Sequence, residues 1–157
     1  MQKQVQFENS RGETLAGVIH TPDSGAVRAW TLFAHCFTCT KNIRAAVNIA
    51  EALARMDIAV LRFDFTGLGQ SEGEFADSHF SRNVQDLVDA ASFLGKEFQA
   101  PEILVGHSLG GTAVLAAAHR VDSAVAVVTI GSPADAEHVL HVFGDDLETI
   151  ERQGEAH

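Results

Sequence analysis

Cations are scarce in this chain, and long apolar runs are absent. Eleven Lys and Arg stand against 21 Asp and Glu, a formal net charge of -10 over 157 residues. So few cations cannot assemble a basic face that neutralises phosphates, which argues against a nucleic-acid or anionic-membrane partner. No stretch reaches membrane-spanning length, and Met1-Gln2-Lys3-Gln4-Val5-Gln6 has no apolar h-region. A cytoplasmic protein is the expectation. Internal repeats, low-complexity tracts and linkers are also missing, so residues 1–157 read as one domain with a real core.

What is present is a hydrophobic period that switches between two and 3.6, the mark of alternating strands and helices. Val5 and Phe7, then Leu15, Gly17 and Ile19, read as an antiparallel pair turning near Gly12. Thr31-Leu32-Phe33-Ala34 reads as a central strand, followed by a helix with Ile43, Val47, Ala50 and Ala54 on one face. Ile58-Ala59-Val60-Leu61 is the next strand, and Phe80, Val84, Leu87, Ala91, Leu94 and Phe98 repeat at helical spacing. Val125-Ala126-Val127-Val128-Thr129-Ile130 looks the most buried strand of all. Residues 135–157 look like an amphipathic helical region.

Gly106-His107-Ser108-Leu109-Gly110 spells G-x-S-x-G between an apolar run, Glu102-Ile103-Leu104-Val105, and a run of small helix formers, Gly111-Thr112-Ala113-Val114. Strand, sharp turn and helix form the nucleophile elbow of a serine hydrolase. The serine must stand exposed on a strained turn, with a helix N-terminus facing the developing oxyanion. Side chains at 106 and 110 would collide with that turn, which accounts for both glycines. Ser108 is therefore the candidate nucleophile and is expected at positive φ. The elbow also offers the Leu109 N–H to an oxyanion. His107 neighbours the nucleophile on the strand, so it points to the opposite face and is not the expected base.

Phe33-Ala34-His35-Cys36-Phe37-Thr38-Cys39, Asp64-Phe65-Thr66-Gly67-Leu68-Gly69-Gln70-Ser71 and the elbow occur in that order. They resemble the H-G-[FW], D-x-R-G-x-G-x-S and G-x-S-x-G signatures of serine aminopeptidase-like and esterase-like α/β-hydrolases. The resemblance implies three layers, with helices on both faces of a mostly parallel sheet. It implies hydrolysis of a small ester, amide or peptide substrate through an acyl-enzyme, with no cofactor and no metal. By the same likeness the Phe37 N–H is the second oxyanion donor, and Asp64, Gly67, Gly69 and Ser71 hold the loop beside the site. The His-Cys-Phe-Thr-Cys variant and Gly131-Ser132-Pro133-Ala134-Asp135 look like the hydrolase half of proteins fused to an OsmC-type domain.

A triad also needs an acid and a histidine, in the order Ser, Asp or Glu, His. About 50 residues follow Ser108, and each strand–helix–strand unit takes roughly 30. The expectation is that acid and histidine lie beyond His157, that the last strands of the fold are lacking, and that the chain alone is catalytically incomplete. Residues 135–157 would begin a lid-like region. Asp135 is the candidate acid inside the chain, although an N-cap is the plainer role. His138 and His141 share a helical face without a third metal ligand. His119 suits the end of a helix.

Two rival functions follow from other residues. Cys36-Phe37-Thr38-Cys39 is a C-x-x-C between a strand and a helix, the pattern of a thiol redox or redox-regulated domain. The preferred alternative makes both cysteines small apolar residues, buried or half-buried. A catalytically silent association domain is the other rival. The strand at 124–130 would carry an open edge for self-association or for a downstream domain.

Overall fold

The computed structural model describes residues 1–36, 38–77 and 79–134. Six strands form one sheet in the order β1-β2-β4-β3-β5-β6. They are β1 Gln2–Glu8, β2 Thr14–His20, β3 Ala29–Ala34, β4 Ile58–Phe63, β5 Ile103–His107 and β6 Ala126–Ile130. The helices are α1 Arg44–Ala54, α2 Phe80–Glu97 and α3 Leu109–Ala117. Strands β1 and β2 form the antiparallel hairpin, and β2 runs antiparallel to β4. Every pairing from β4 to β6 is parallel. The expected α/β-hydrolase architecture, a mostly parallel sheet between helices, is present.

Alternation along the strands divides the core. Trp30, Leu32 and Ala34 of β3, with Ala59, Leu61 and Phe63 of β4, meet Leu87, Ala90, Leu94, Ala113 and Val114 of α2 and α3. On the other face Phe33, Val60 and Val105 pack against Ala46 and Ala50 of α1. Each strand is sandwiched, so β3 and β4 read as continuous apolar runs. In α1 the small Ala46 and Ala50 are the fully buried positions, whereas Val47 is half-buried. The buried face sits one step from the spacing expected, with Ala46 and Ala50 at its centre and Ile49 and Leu53 packed at its margin.

One expectation fails outright. Val125 is 84% exposed and Val128 is 46% exposed, so the run judged most buried is the least covered strand of the parallel set. It pairs with β5 alone, and among the described residues no strand or helix covers its outer side. Apolar composition reports what a strand is suited to bury, not what lies beside it. The expected helical region at 135–157, with Asp135, His138, His141 and His157, lies outside the described residues.

Candidate active site

The chain turns from β5 into α3 through one residue, Ser108, at φ 54 and ψ -127. Its N–H donates to Ile130 O (2.8 Å) and its carbonyl accepts from Gly111 N–H (2.8 Å). The hydroxyl makes no capping bond to the helix. Leu109 is the first residue of α3, so its N–H lacks an intrahelical partner and stands available to an anion. A Cβ on Gly106 would come within 2.5 Å of Gly111 Cα and onto the Gly110 carbonyl. One on Gly110 would meet Ala34 O at 2.6 Å and also the His35 carbonyl. The second clash shows that the α3 N-terminus is seated on the end of β3. Gly111, which the sequence did not single out, approaches Ser132 in the same way: a Cβ there would lie 2.6 Å from Ser132 Cβ. The signal was the third glycine of the run.

A family model described as serine aminopeptidase, S33, matches residues 26–143. The chain belongs to that family of α/β-hydrolases. The chain is 33% identical over 105 residues to rat mitochondrial palmitoyl-protein thioesterase ABHD10, covering 66% of this chain and 34% of the relative. Rat monoglyceride lipase is 41% identical over 76 residues, 46% of this chain and 25% of the lipase. Among solved structures, an esterase domain from a Rhodothermus marinus protein is 45% identical with a TM-score of 0.74, over 90% of this chain and 54% of that one. Mouse ABHD10 is 26% identical with a TM-score of 0.78, over 97% and 59%. The chain thus spans about a third of the curated thioesterase and just over half of these solved relatives.

In this chain the segment after β3 approaches the elbow and is pinned at both ends. At its start His35 is buried, and burial pushes its pKa down despite the bond from Nδ1–H to Cys36 O (2.7 Å). Nε2 faces the Phe65 N–H at 3.4 Å, so the neutral ring uses both nitrogens. At the far end Lys41 is only 3% exposed; its ammonium pairs with Asp64 and donates to Gln70 Oε1 (2.9 Å). Asp64 also accepts from the Lys41 N–H (2.6 Å) and the Gln70 N–H (3.0 Å). Arg62 donates to the Lys41 carbonyl and to Asn42 Oδ1 (2.8 Å). Lys41 and Arg62 were not legible in advance, since their partners stand more than 20 residues away in sequence. Ser71 Oγ donates to Asp64 O (2.6 Å), and Gly67 and Gly69 both take positive φ. The loop role expected of these residues thus has its contacts.

Thr66 stands where the resembled signature has arginine. Arg11, from the hairpin turn, reaches across instead, donating to Thr66 Oγ1 (3.0 Å) and pairing with Asp86 (3.1 Å). Burial raises the Asp86 pKa, against bonds from Thr66, Arg11 and Asn9 that lower it. The only advance signal was a charged residue on the apolar face of α2.

Cys36 and Cys39 form a disulfide and are half-buried, so the expectation of two inert apolar residues is corrected. Phe37, the candidate second donor, and Asp135, the candidate acid, lie outside the described residues. His107 carries a buried Nδ1 with no partner among the described residues and lies on the strand face opposite Gly106. A small apolar cleft lined by His35, Phe65, Leu68, Leu109 and Ala113 opens beside the α3 N-terminus. A broader hollow lined by Met1, His20, Glu51 and Asp57 lies at the other end, where β4 begins; doubly wound sheets bind ligands at the carboxyl ends of their strands. No helix among the described residues is long and apolar enough to cross a membrane.

Proposed function

We propose that this chain supplies the nucleophile half of a serine hydrolase that cleaves esters, thioesters or amides through an acyl-enzyme on Ser108. The observation that carries it is Ser108 at φ 54 between β5 and α3, with its hydroxyl making no capping bond to the helix. Ser108 Oγ attacks the acyl carbon, and its proton passes to a histidine base. The oxyanion accepts hydrogen bonds from the Leu109 N–H and, by family likeness, the Phe37 N–H. Collapse expels the alcohol, thiol or amine, which takes the proton from the base, and water then releases the acid. His35 is committed to Cys36 and Phe65, so base and acid come from residues outside the described ones. Asp135 remains a candidate acid.

The relatives named as a thioesterase, a lipase and an esterase favour a small-molecule oxygen or sulfur ester over an amide. We place residues 1–157 in one domain, acting in the cytoplasm, with 135–157 entering a lid-like region and the β6 edge covered by further polypeptide. The likeness to OsmC-fused hydrolases belongs to the same proposal, and the full reading frame of the gene tests it. The direct test of function is a fluorophosphonate probe followed by peptide mapping. In the full-length protein one adduct on the Ser108 peptide, absent in Ser108→Ala, is expected, while residues 1–157 alone, without their base, should label barely above background. An adduct on another residue of the full-length protein removes the nucleophile assignment.

A further inference from the structure

Two features that the hydrolase chemistry does not use meet in one short segment. The first is the Cys36–Cys39 disulfide, whose Cα atoms lie 5.3 Å apart, a span it bridges without moving backbone. These are the only cysteines in the sequence, and both are half-buried. The second is Thr38 at φ 59. A β-branched residue in the left-handed region persists only where its surroundings over-determine it. The Cys39 N–H donates to Cys36 O at 3.2 Å, closing the turn that holds Thr38.

The ends of the segment are fixed independently of the disulfide. His35 is tied to Phe65, while Lys41 is tied to Asp64, Gln70 and Arg62. Among the described contacts, the strained turn is held by the disulfide, by the bond from His35 Nδ1–H to Cys36 O (2.7 Å) and by one long backbone bond. Cys36, its first residue, lines the cleft beside Leu109 and Gly110, next to where the α3 N-terminus touches the carbonyls of Ala34 and His35. Relaxing the turn therefore moves backbone next to the amides that face Ser108.

We propose that Cys36–Cys39 is a thiol–disulfide exchange site whose redox state sets the backbone conformation of Thr38 and residues 39–41 beside the elbow. Its co-reactant is a dithiol. One reductant thiolate attacks a sulfur of the pair, forming a mixed disulfide and expelling the other cysteine as thiolate. The second reductant thiol attacks the mixed disulfide and leaves as a cyclic disulfide. The pair gains two electrons and two protons, which the dithiol loses; oxidation is the reverse. Once reduced, Thr38 loses its covalent tie and relaxes toward negative φ. In a reducing compartment such a bond is transient and suited to sensing. The exchange site stands apart from the Ser108 assignment; only its effect on catalysis rests on it.

The test uses the full chain, air-oxidised and then treated with dithiothreitol. The oxidised chain is expected to resist iodoacetamide, and the reduced chain to take up two labels with its far-UV dichroism unchanged. Amides of 36–41 should exchange about tenfold faster after reduction, with β4 and β5 unaltered. Cys39→Ser, and Cys36→Ser with Cys39→Ser, should exchange at the fast rate with or without dithiol; the single variant covers the case in which the double fails to fold. A pair that yields only when the protein unfolds is a structural staple and overturns the proposal, as does equal exchange in both forms. Fluorophosphonate labelling separates the two claims. A tenfold redox-dependent labelling rate at Ser108 supports both. An exchange shift with no redox-dependent labelling of Ser108 in the full-length protein keeps the exchange site and removes its effect on catalysis.

Discussion

Ser108 occupies backbone space that costs a non-glycine residue about 1–3 kcal/mol, and the fold holds it there through its bonds to Ile130 and Gly111. The same seating makes Gly110, like Gly106, a sensitive glycine of the elbow. Its missing Cβ leaves room for carbonyls of β3, which are backbone and cannot swing aside. Gly110→Ala is expected to lose about 1–3 kcal/mol in urea denaturation and to slow acylation of Ser108. A variant as stable as the parent would mean that α3 is not seated on β3. His20 offers a residue-level test by pH. Its Nε2 accepts from Arg62 Nε (2.9 Å), which requires a neutral ring. Burial, then the charge of Arg62, push its pKa from the usual 6.5 down to about 4. The unfolded chain takes its proton first as pH falls. Stability from this group is therefore complete above pH 6.5 and is lost between pH 6.5 and about 4, up to about 2–3 kcal/mol. His20→Gln should flatten that part of the melting-temperature profile; an unchanged slope would assign it to other groups.

At the scale of elements, the joint between hairpin, Asp64 loop and α2 is polar where the rest of the core is apolar. Asp86 is fully buried and accepts from Thr66 N–H (2.9 Å), Arg11 and Asn9. Asp86→Ala strands those donors and is expected to cost about 3–5 kcal/mol, whereas Arg11→Met, at a partly exposed residue, should cost about 1 kcal/mol. Comparable losses in the two melts would refute the burial argument. The joint also marks the limit of what the sequence tells. Alternating periods placed the hairpin, β3, β4, α2 and the β5–Ser108–α3 turn, because each is a local pattern about ten residues long. Arg11 meets Asp86, and Lys41 meets Asp64, across long separations that leave no periodic trace. C-x-x-C spacing allowed either inert or redox cysteines; the disulfide excludes two free thiols, and the redox role rests on the exchange experiment.

The whole molecule is asymmetric: the hairpin closes one side of the sheet, and β6 leaves the other open among the described residues. Val127 packs against the α3 face of the core, while Val128 is 46% exposed on the other side. An uncharged strand with a bare face and an unpaired rim is a template for pairing, and burying it is worth about 25 cal/mol per Å² of apolar surface. If that edge is covered in the intact protein, by residues outside the described ones or by a second copy, Val128→Lys must carry a penalty. It should lower the melting temperature or dissociate an assembly, as judged by sedimentation across a hundredfold range of concentration. Val127→Lys serves as the reference, since a lysine there enters the described core and destabilises the chain whether the edge is covered or not. Should Val128→Lys match the parent in both melting and sedimentation while Val127→Lys collapses, β6 is a bare edge in solution. The association role and the covering polypeptide would then both be withdrawn, leaving the Ser108 assignment untouched.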